Sequence, residues 1–186
     1  MDCSTKYGEA AFYTPFRYIP MWKKLYSSFK KFPAQQKVAE LLLTYGLRVE
    51  KDKIFCGEIE LSFSKIARAV GVDRRAVVST VETIWKNKEL RKIFMMLQPT
   101  CHLKEVAPQM NWGVVEIIPV DASMPGILAS VSSIIAKAKI SIRQAIVDDF
   151  RLSKEPRLFI VTEKPLPGNM ISKIRQSKGV KGVVSY

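Results

Sequence analysis

The spacing of hydrophobic residues changes abruptly near residue 120. From Trp112 to Val120 the chain is largely Val and Ile with Glu116 as its only charge, which predicts a strand buried or half-buried on both faces. From Ile127 the apolar residues fall at Leu128, Val131, Ile134, Ile135 and Ala138, the spacing of one helical face. The corner between them is Asp121-Ala122-Ser123-Met124-Pro125-Gly126. Ser123 is placed to cap the helix through its hydroxyl, Pro125 suits the first turn, and Gly126 lets another group approach the backbone closely. Free N–H groups at the positive end of a helix suit a small anion such as an amino-acid carboxylate. A well-capped turn without a ligand reads the same way from these residues alone.

Three more strands follow. Ile140–Val147 carries Arg143-Gln144 in its middle and ends at Asp148-Asp149, and Arg157–Thr162 has Leu-Phe-Ile-Val at its core. A helix beginning near Pro167-Gly168 places Met170, Ile171 and Ile174 on one side, Gly179 closes it, and Val180–Tyr186 is the last strand. The predicted order is β-α-β-β-α-β, the ferredoxin-like split βαβ arrangement.

Upstream, Pro33–Leu43 reads as a helix with Val38, Leu41, Leu42 and Tyr45 along one side and Gly46 at its end. Ile54, Phe55, Ile59 and Leu61 around Gly57 predict a short hairpin or an extended connector. Between Phe63 and Glu82, two helices meet at a glycine turn and resemble the helix-turn-helix motif of DNA-binding regulators. Ala67 is small where the helices cross, Gly71 follows four residues later, and Ile66, Val70, Val72 and Val77 fill the wedge. Asp73 is a natural N-cap for a second helix running through Trp85. That helix presents Arg74, Arg75 and Ser79 near its N-terminus, the end that reaches base edges, while Lys65 and Arg68 on the first helix are placed for phosphate contacts. Thr80 stands where this motif usually carries a larger aliphatic residue. Leu90, Ile93, Phe94 and Leu97 predict one more helix, stopped by Pro99, that makes the link to the second half semi-rigid.

The β-α-β-β-α-β half, with Pro-Gly at its first corner and Gly-Val before its last strand, resembles the ACT domain, a small-molecule sensor that commonly binds amino acids between two copies of itself. Both halves together are similar to a largely archaeal family of predicted regulators of amino-acid metabolism. Ile54-Phe55-Cys56-Gly57-Glu58-Ile59-Glu60, Ile66 to Arg75 and Ile142-Arg143-Gln144-Ala145-Ile146-Val147-Asp148-Asp149 carry this resemblance, which covers Pro33 to Tyr186. It implies an α+β chain with a mostly helical helix-turn-helix domain over 33–110 and a ferredoxin-like sensing domain over 111–186. It also implies a homodimer or higher oligomer through the sensing domain. The effector, an amino acid, sits at the corner of one subunit against the strand containing Arg143, Gln144 and Ala145 of the other. Gly126 and Ile127 then offer N–H groups to its carboxylate, Asp121 takes the ammonium, Ser123 and Pro125 shape the corner, and Met124 and Leu128 wall the side chain.

Composition narrows the partners. A net charge of +13, distributed as +8 over residues 1–110 and +5 over 111–186, points to a polyanion, double-stranded DNA first. No apolar run approaches the roughly 20 residues that span a bilayer, and the N-terminus lacks the order of a signal peptide, so the expected location is the cytoplasm. Residues 1–32 hold nine of the 18 aromatic residues, with Lys23, Lys24, Lys30 and Lys31 among them. Such a stripe suits packing on a neighbouring domain, or a phosphate backbone or membrane surface.

Cys3, Cys56 and Cys101 are far apart and His102 is alone, so neither a disulfide framework nor a metal site is expected. No phosphate loop, HExxH or GxSxG is present, and the expectation is a protein without catalytic residues or cofactor. Two rival readings remain at this point. One is an ACT-type module that controls a metabolic enzyme without touching DNA. The other is RNA binding, against which stands the scatter of Trp112, Phe159 and Tyr186 along the chain.

Overall fold

The computed structural model describes residues 27–150 and 153–186, so residues 1–26 of the aromatic stretch lie outside the described residues. The chain divides into two compact units, one running to Leu41 and resuming over Arg48–Met96, the other comprising Leu42–Leu47 and Leu97–Tyr186.

The first unit holds α1 (Pro33–Thr44) as far as Leu41, then the strands β1 (Arg48–Glu50), β2 (Lys53–Cys56) and β3 (Ile59–Leu61). The strands form an antiparallel sheet in the order β1-β2-β3, with Val49 opposite Ile54 and Ile54 opposite Leu61. The expected hairpin around Gly57 is therefore present, and β1 extends it. Val38, Ala39, Val49 and Ile54 are fully buried. Tyr45, expected on the inner side of α1, is instead exposed at 63%, because the helix ends at Thr44 and the chain turns at Gly46.

Three helices follow: α2 (Phe63–Val70), α3 (Arg74–Lys86) and α4 (Lys88–Phe94). Gly71 adopts φ 71°, outside the comfortable range of other residues, and lets the Val72 N–H reach back to the Ala67 carbonyl at 3.0 Å. Asp73 caps α3 by accepting from the Arg75 N–H at 2.7 Å. Ile66, Ala67, Val77, Val81 and Ile84 are buried, and Thr80 is buried with them. The Thr80 hydroxyl donates to the Ala76 carbonyl one turn back at 2.7 Å, so a polar residue occupies this apolar position without an unmet hydrogen bond.

The connecting helix is shorter than expected. α4 ends at Phe94, which is buried together with Leu90, while Met95 and Met96 are exposed and Leu97–Leu103 is irregular. Pro99 disfavours a helical residue before it, and no buried apolar residue follows Phe94 to carry the helix further.

The second unit contains a short 3-10 turn (Ala107–Met110), β4 (Gly113–Pro119), α5 (Ile127–Lys137), β5 (Ile142–Val147), β6 (Leu158–Thr162), α6 (Gly168–Arg175) and β7 (Val180–Ser185). Its sheet runs β5-β6-β4-β7 with every neighbouring pair antiparallel, the ferredoxin-like order. Val115, Ile117, Leu158 and Ile160 pack on one face against Ile127, Val131, Ile135, Met170 and Ile174 of the two helices. Val114 and Val161 point the other way, where Ala107, Leu103 and Trp112 cover them. This double cover explains why β4 reads as an apolar run interrupted only by Glu116.

Candidate nucleic-acid interface and ligand cavity

In the first unit the turn at Gly71 and the cap at Asp73 fix where α3 begins, and so where its first side chains project. Lys65, Arg68, Arg74 and Arg75 are all exposed, and Ser79 is half-buried. None of the four cations is ion-paired among the described residues. Other arginines of the unit are engaged locally. Arg48 donates to the Gly57 carbonyl at 3.1 Å and lies 5.1 Å from the Phe55 ring, and Arg91 lies 5.1 Å from the Trp85 ring. The four cations at this helix junction thus keep their charges uncompensated among the described residues.

In the second unit the corner between β4 and α5 is built differently from the expectation. Asp121 accepts both the hydroxyl and the N–H of Ser123, at 2.7 and 2.8 Å, and this pairing, the hydroxyl foremost, holds its carboxyl below the ordinary range. Ser123 therefore does not cap the helix. The N-cap is Gly126, at φ 93°, whose carbonyl accepts from Ser130 at 2.9 Å. A three-residue Asx turn satisfies Ser123 locally and moves the helix start to Ile127.

Behind this corner lies a cavity of about 120 Å³. Met124, Gly126, Ile127 and Leu128 line it, joined by Pro119, Ala122, Val147, Asp148, Pro156, Arg157 and Leu158 of the same chain. A wider hollow of about 370 Å³ shares Pro119, Ala122, Pro156 and Arg157 with it and adds Ile118, Val120, Glu155 and Lys181. The structure thus brings four of the ten expected ligand residues to one cavity. Pro125 is not among its walls, and Asp121 and Ser123 are occupied with each other. Arg143 lies 4.3 Å from the Trp112 ring, Gln144 holds the Leu103 N–H at 2.9 Å and the Cys101 carbonyl at 2.7 Å, and Ala145 is exposed. The middle of β5 ties down residues 101–112, and only its end, Val147-Asp148, reaches the cavity.

Arg157 and Asp148 have no place among the ligand residues expected from the sequence. The one signal for Arg157 is a charged residue opening the apolar run Leu158–Thr162.

Glu116 is the buried charge of this unit, 2% exposed. Its carboxylate pairs with the Arg157 guanidinium and, at 3.0 Å each, with the Lys104 ammonium and the Tyr186 hydroxyl. Burial alone raises the Glu116 pKa, but the hydrogen bonds from Lys104, Arg157 and Tyr186 outweigh it and hold the group below its ordinary value. A depressed folded-state pKa stabilises the fold above the unfolded value and loses that stabilisation as pH falls through the folded one. Unfolding midpoints of wild type and Glu116→Gln should therefore converge as pH drops from about 6 towards about 3, whereas a constant gap would show that Glu116 gains nothing from ionisation.

Lys104 also lies 4.7 Å from the Phe159 ring and 5.3 Å from that of Tyr186, with His102 edge-on to Phe159 at 5.2 Å. The expected scatter of aromatic residues is corrected here: the sheet brings Phe159 and Tyr186 around one lysine. Lys104 nonetheless lies over both rings, on the faces that base stacking requires. Among the described residues no His, Cys, Asp and Glu cluster can hold a metal ion, and no helix is long and apolar enough to cross a membrane.

No protein-family model matches the sequence, and no curated protein matches it. Among solved structures, an AsnC family transcriptional regulator from Agrobacterium tumefaciens is 12% identical, with 82% of this chain and 86% of that one covered at a TM-score of 0.27. A transcriptional regulatory protein of the AsnC family from Pyrococcus furiosus is 13% identical, with 68% and 77% covered at a TM-score of 0.22. Overlaps this weak carry no argument about fold or activity, which rest on the geometry of the chain itself.

Proposed function

We propose that this protein is a DNA-binding transcriptional regulator whose second unit is an ACT-like sensor of an amino acid. The observation that carries the reading is the capped helix-turn-helix with Lys65, Arg68, Arg74 and Arg75 exposed and unpaired among the described residues. A pure packing module gains nothing from four uncompensated cations at one helix junction, whereas a duplex supplies their counter-charges. The sensor half rests on the apolar cavity at the β4–α5 corner, whose lining includes one acidic residue, Asp148, and one basic residue, Arg157. That pair of opposite charges beside an apolar wall suits a zwitterion with an aliphatic side chain. Asp148, whose Oδ2 accepts the Arg157 backbone N–H at 3.1 Å, takes the ammonium role that the resemblance gives to Asp121, since Asp148 lines the cavity and Asp121 does not.

Two chains pairing through their second units present two recognition helices to the two halves of an operator. The ligand biases the dimer between arrangements of those helices. The test is whether one small molecule both raises the unfolding temperature and changes the affinity for duplex DNA. A protein that only controls an enzyme responds in the first measurement and not in the second.

A further inference from the structure

The Arg157 guanidinium stands between two places that the sensor reading leaves unconnected. On one side Arg157 lines both the narrow cavity behind the corner and the wider hollow beside it, the latter together with Glu155, to which its guanidinium is bonded. On the other it is bonded to the buried Glu116, which also holds Lys104 at 3.0 Å. Lys104 belongs to the irregular segment that follows the helical unit, and Gln144 fixes the same segment at the Cys101 carbonyl. We propose that Arg157 is the residue through which the bound amino acid acts, taking the ligand carboxylate and relaying its arrival through Glu116 to Lys104. This rests on the reading of the second unit as an amino-acid sensor.

The chemistry favours this role. Of the five N–H donors of a guanidinium, one is given to Glu116 and one to Glu155, the latter at 2.8 Å, so donors remain for a third carboxylate. Glu155 is 79% exposed and lines the wider hollow, which places the guanidinium at its edge. Lys181 in the same wall adds a second positive charge. A ligand carboxylate arriving there competes with Glu116 for Arg157. Glu116 is sealed from water and cannot be solvated in exchange, so its remaining partners, Lys104 and Tyr186, must readjust. An exposed arginine with solvated partners transmits nothing of this kind. Here the buried carboxylate makes the ligand's arrival felt at the far end of the ion-pair chain.

Cys101 is exposed and three residues from Lys104, so its alkylation rate reports on the segment. The experiment uses the full chain with Cys3→Ser and Cys56→Ser, and as probes L-valine, L-leucine and L-methionine with their carboxamides. At least one amino acid should bind, its amide at least tenfold more weakly, and Arg157→Lys should weaken the amino acid by a similar factor. Binding should change the Cys101 alkylation rate at least twofold. Glu116→Gln, which removes the competing charge from Arg157, should bind the amino acid at least as tightly as wild type and lose that rate response. If Arg157→Lys binds as tightly as wild type, the role of Arg157 is refuted while the sensor stands. If no probe binds the wild type, the sensor reading itself fails. Should Arg157→Lys not fold, the wild-type comparison of acid with amide decides: equal affinities overturn the proposal. An unchanged Cys101 response in Glu116→Gln overturns the relay.

Discussion

Replacing Arg74 and Arg75 together by alanine is expected to lower the affinity for duplex DNA by about 30-fold or more. Each arginine lies in the first turn of α3, exposed and unpaired among the described residues, where the proposed reading sets the helix against base edges. An arginine bonded to a base is worth roughly 1–3 kcal/mol, so losing two costs at least about 2 kcal/mol. The fold should not suffer. Alanine is a better helix former than arginine, and the bond from the Arg75 N–H to Asp73 involves the backbone, so the cap survives. Fluorescence anisotropy with labelled duplex, read beside a melting curve, separates the two effects. Lys65→Ala and Arg68→Ala should behave differently, weakening all sequences alike and flattening the salt dependence by about one unit of slope for each phosphate no longer neutralised. If the double arginine variant binds with unchanged affinity and slope, the helix-turn-helix does not face the duplex.

The second large effect is on stability. Gly113→Ala should lower the unfolding temperature by roughly 10 °C, because a methyl group there has no space. Its Cβ would lie 2.5 Å from the Thr162 hydroxyl oxygen, 2.6 Å from the Lys164 carbonyl oxygen and 2.8 Å from the Pro165 Cα. Two of these are backbone atoms, and the third belongs to a buried threonine whose hydroxyl donates to the Lys164 carbonyl at 2.8 Å. Relief therefore requires β4 and β6 to separate at the pair Gly113–Thr162. Gly168→Ala is the control, since nothing lies within 4 Å of its Cβ. Differential scanning fluorimetry of both variants checks the contrast, and equal melting temperatures would show that the chain absorbs the overlap.

What was legible in the sequence follows from how local its causes are. The Val and Ile run of β4, the 3.6-residue period of α5 and the pairing of Gly71 with Asp73 each depend on neighbours within a few residues, and the structure has all three. The strands β1 and β3 are three residues each, too short for any period to show. The end of α4 depended on which apolar residues find a core, and Leu97 does not extend the helix that Leu90 and Phe94 anchor.

The candidate cavity was half legible. Met124, Gly126, Ile127 and Leu128 line it from one short stretch of the chain. Asp148 and Arg157 come from strand ends brought alongside by the sheet, which no spacing reveals. Glu116 read as a single charge in an apolar strand. Its partners Lys104, Arg157 and Tyr186 lie far from it along the chain, Tyr186 by 70 residues, so its burial became intelligible only once the sheet was formed.

The measurement that tests the regulator reading most directly is the affinity for duplex DNA with and without the amino acid that most raises the unfolding temperature. Coupling between two sites of one protein commonly amounts to about 1–3 kcal/mol, so the dissociation constant should change by about 5-fold to 150-fold. The same factor should appear in the affinity for the amino acid when DNA is saturating. A ligand that stabilises the protein by several degrees yet leaves DNA affinity unchanged at every salt concentration would contradict the coupling of the two units.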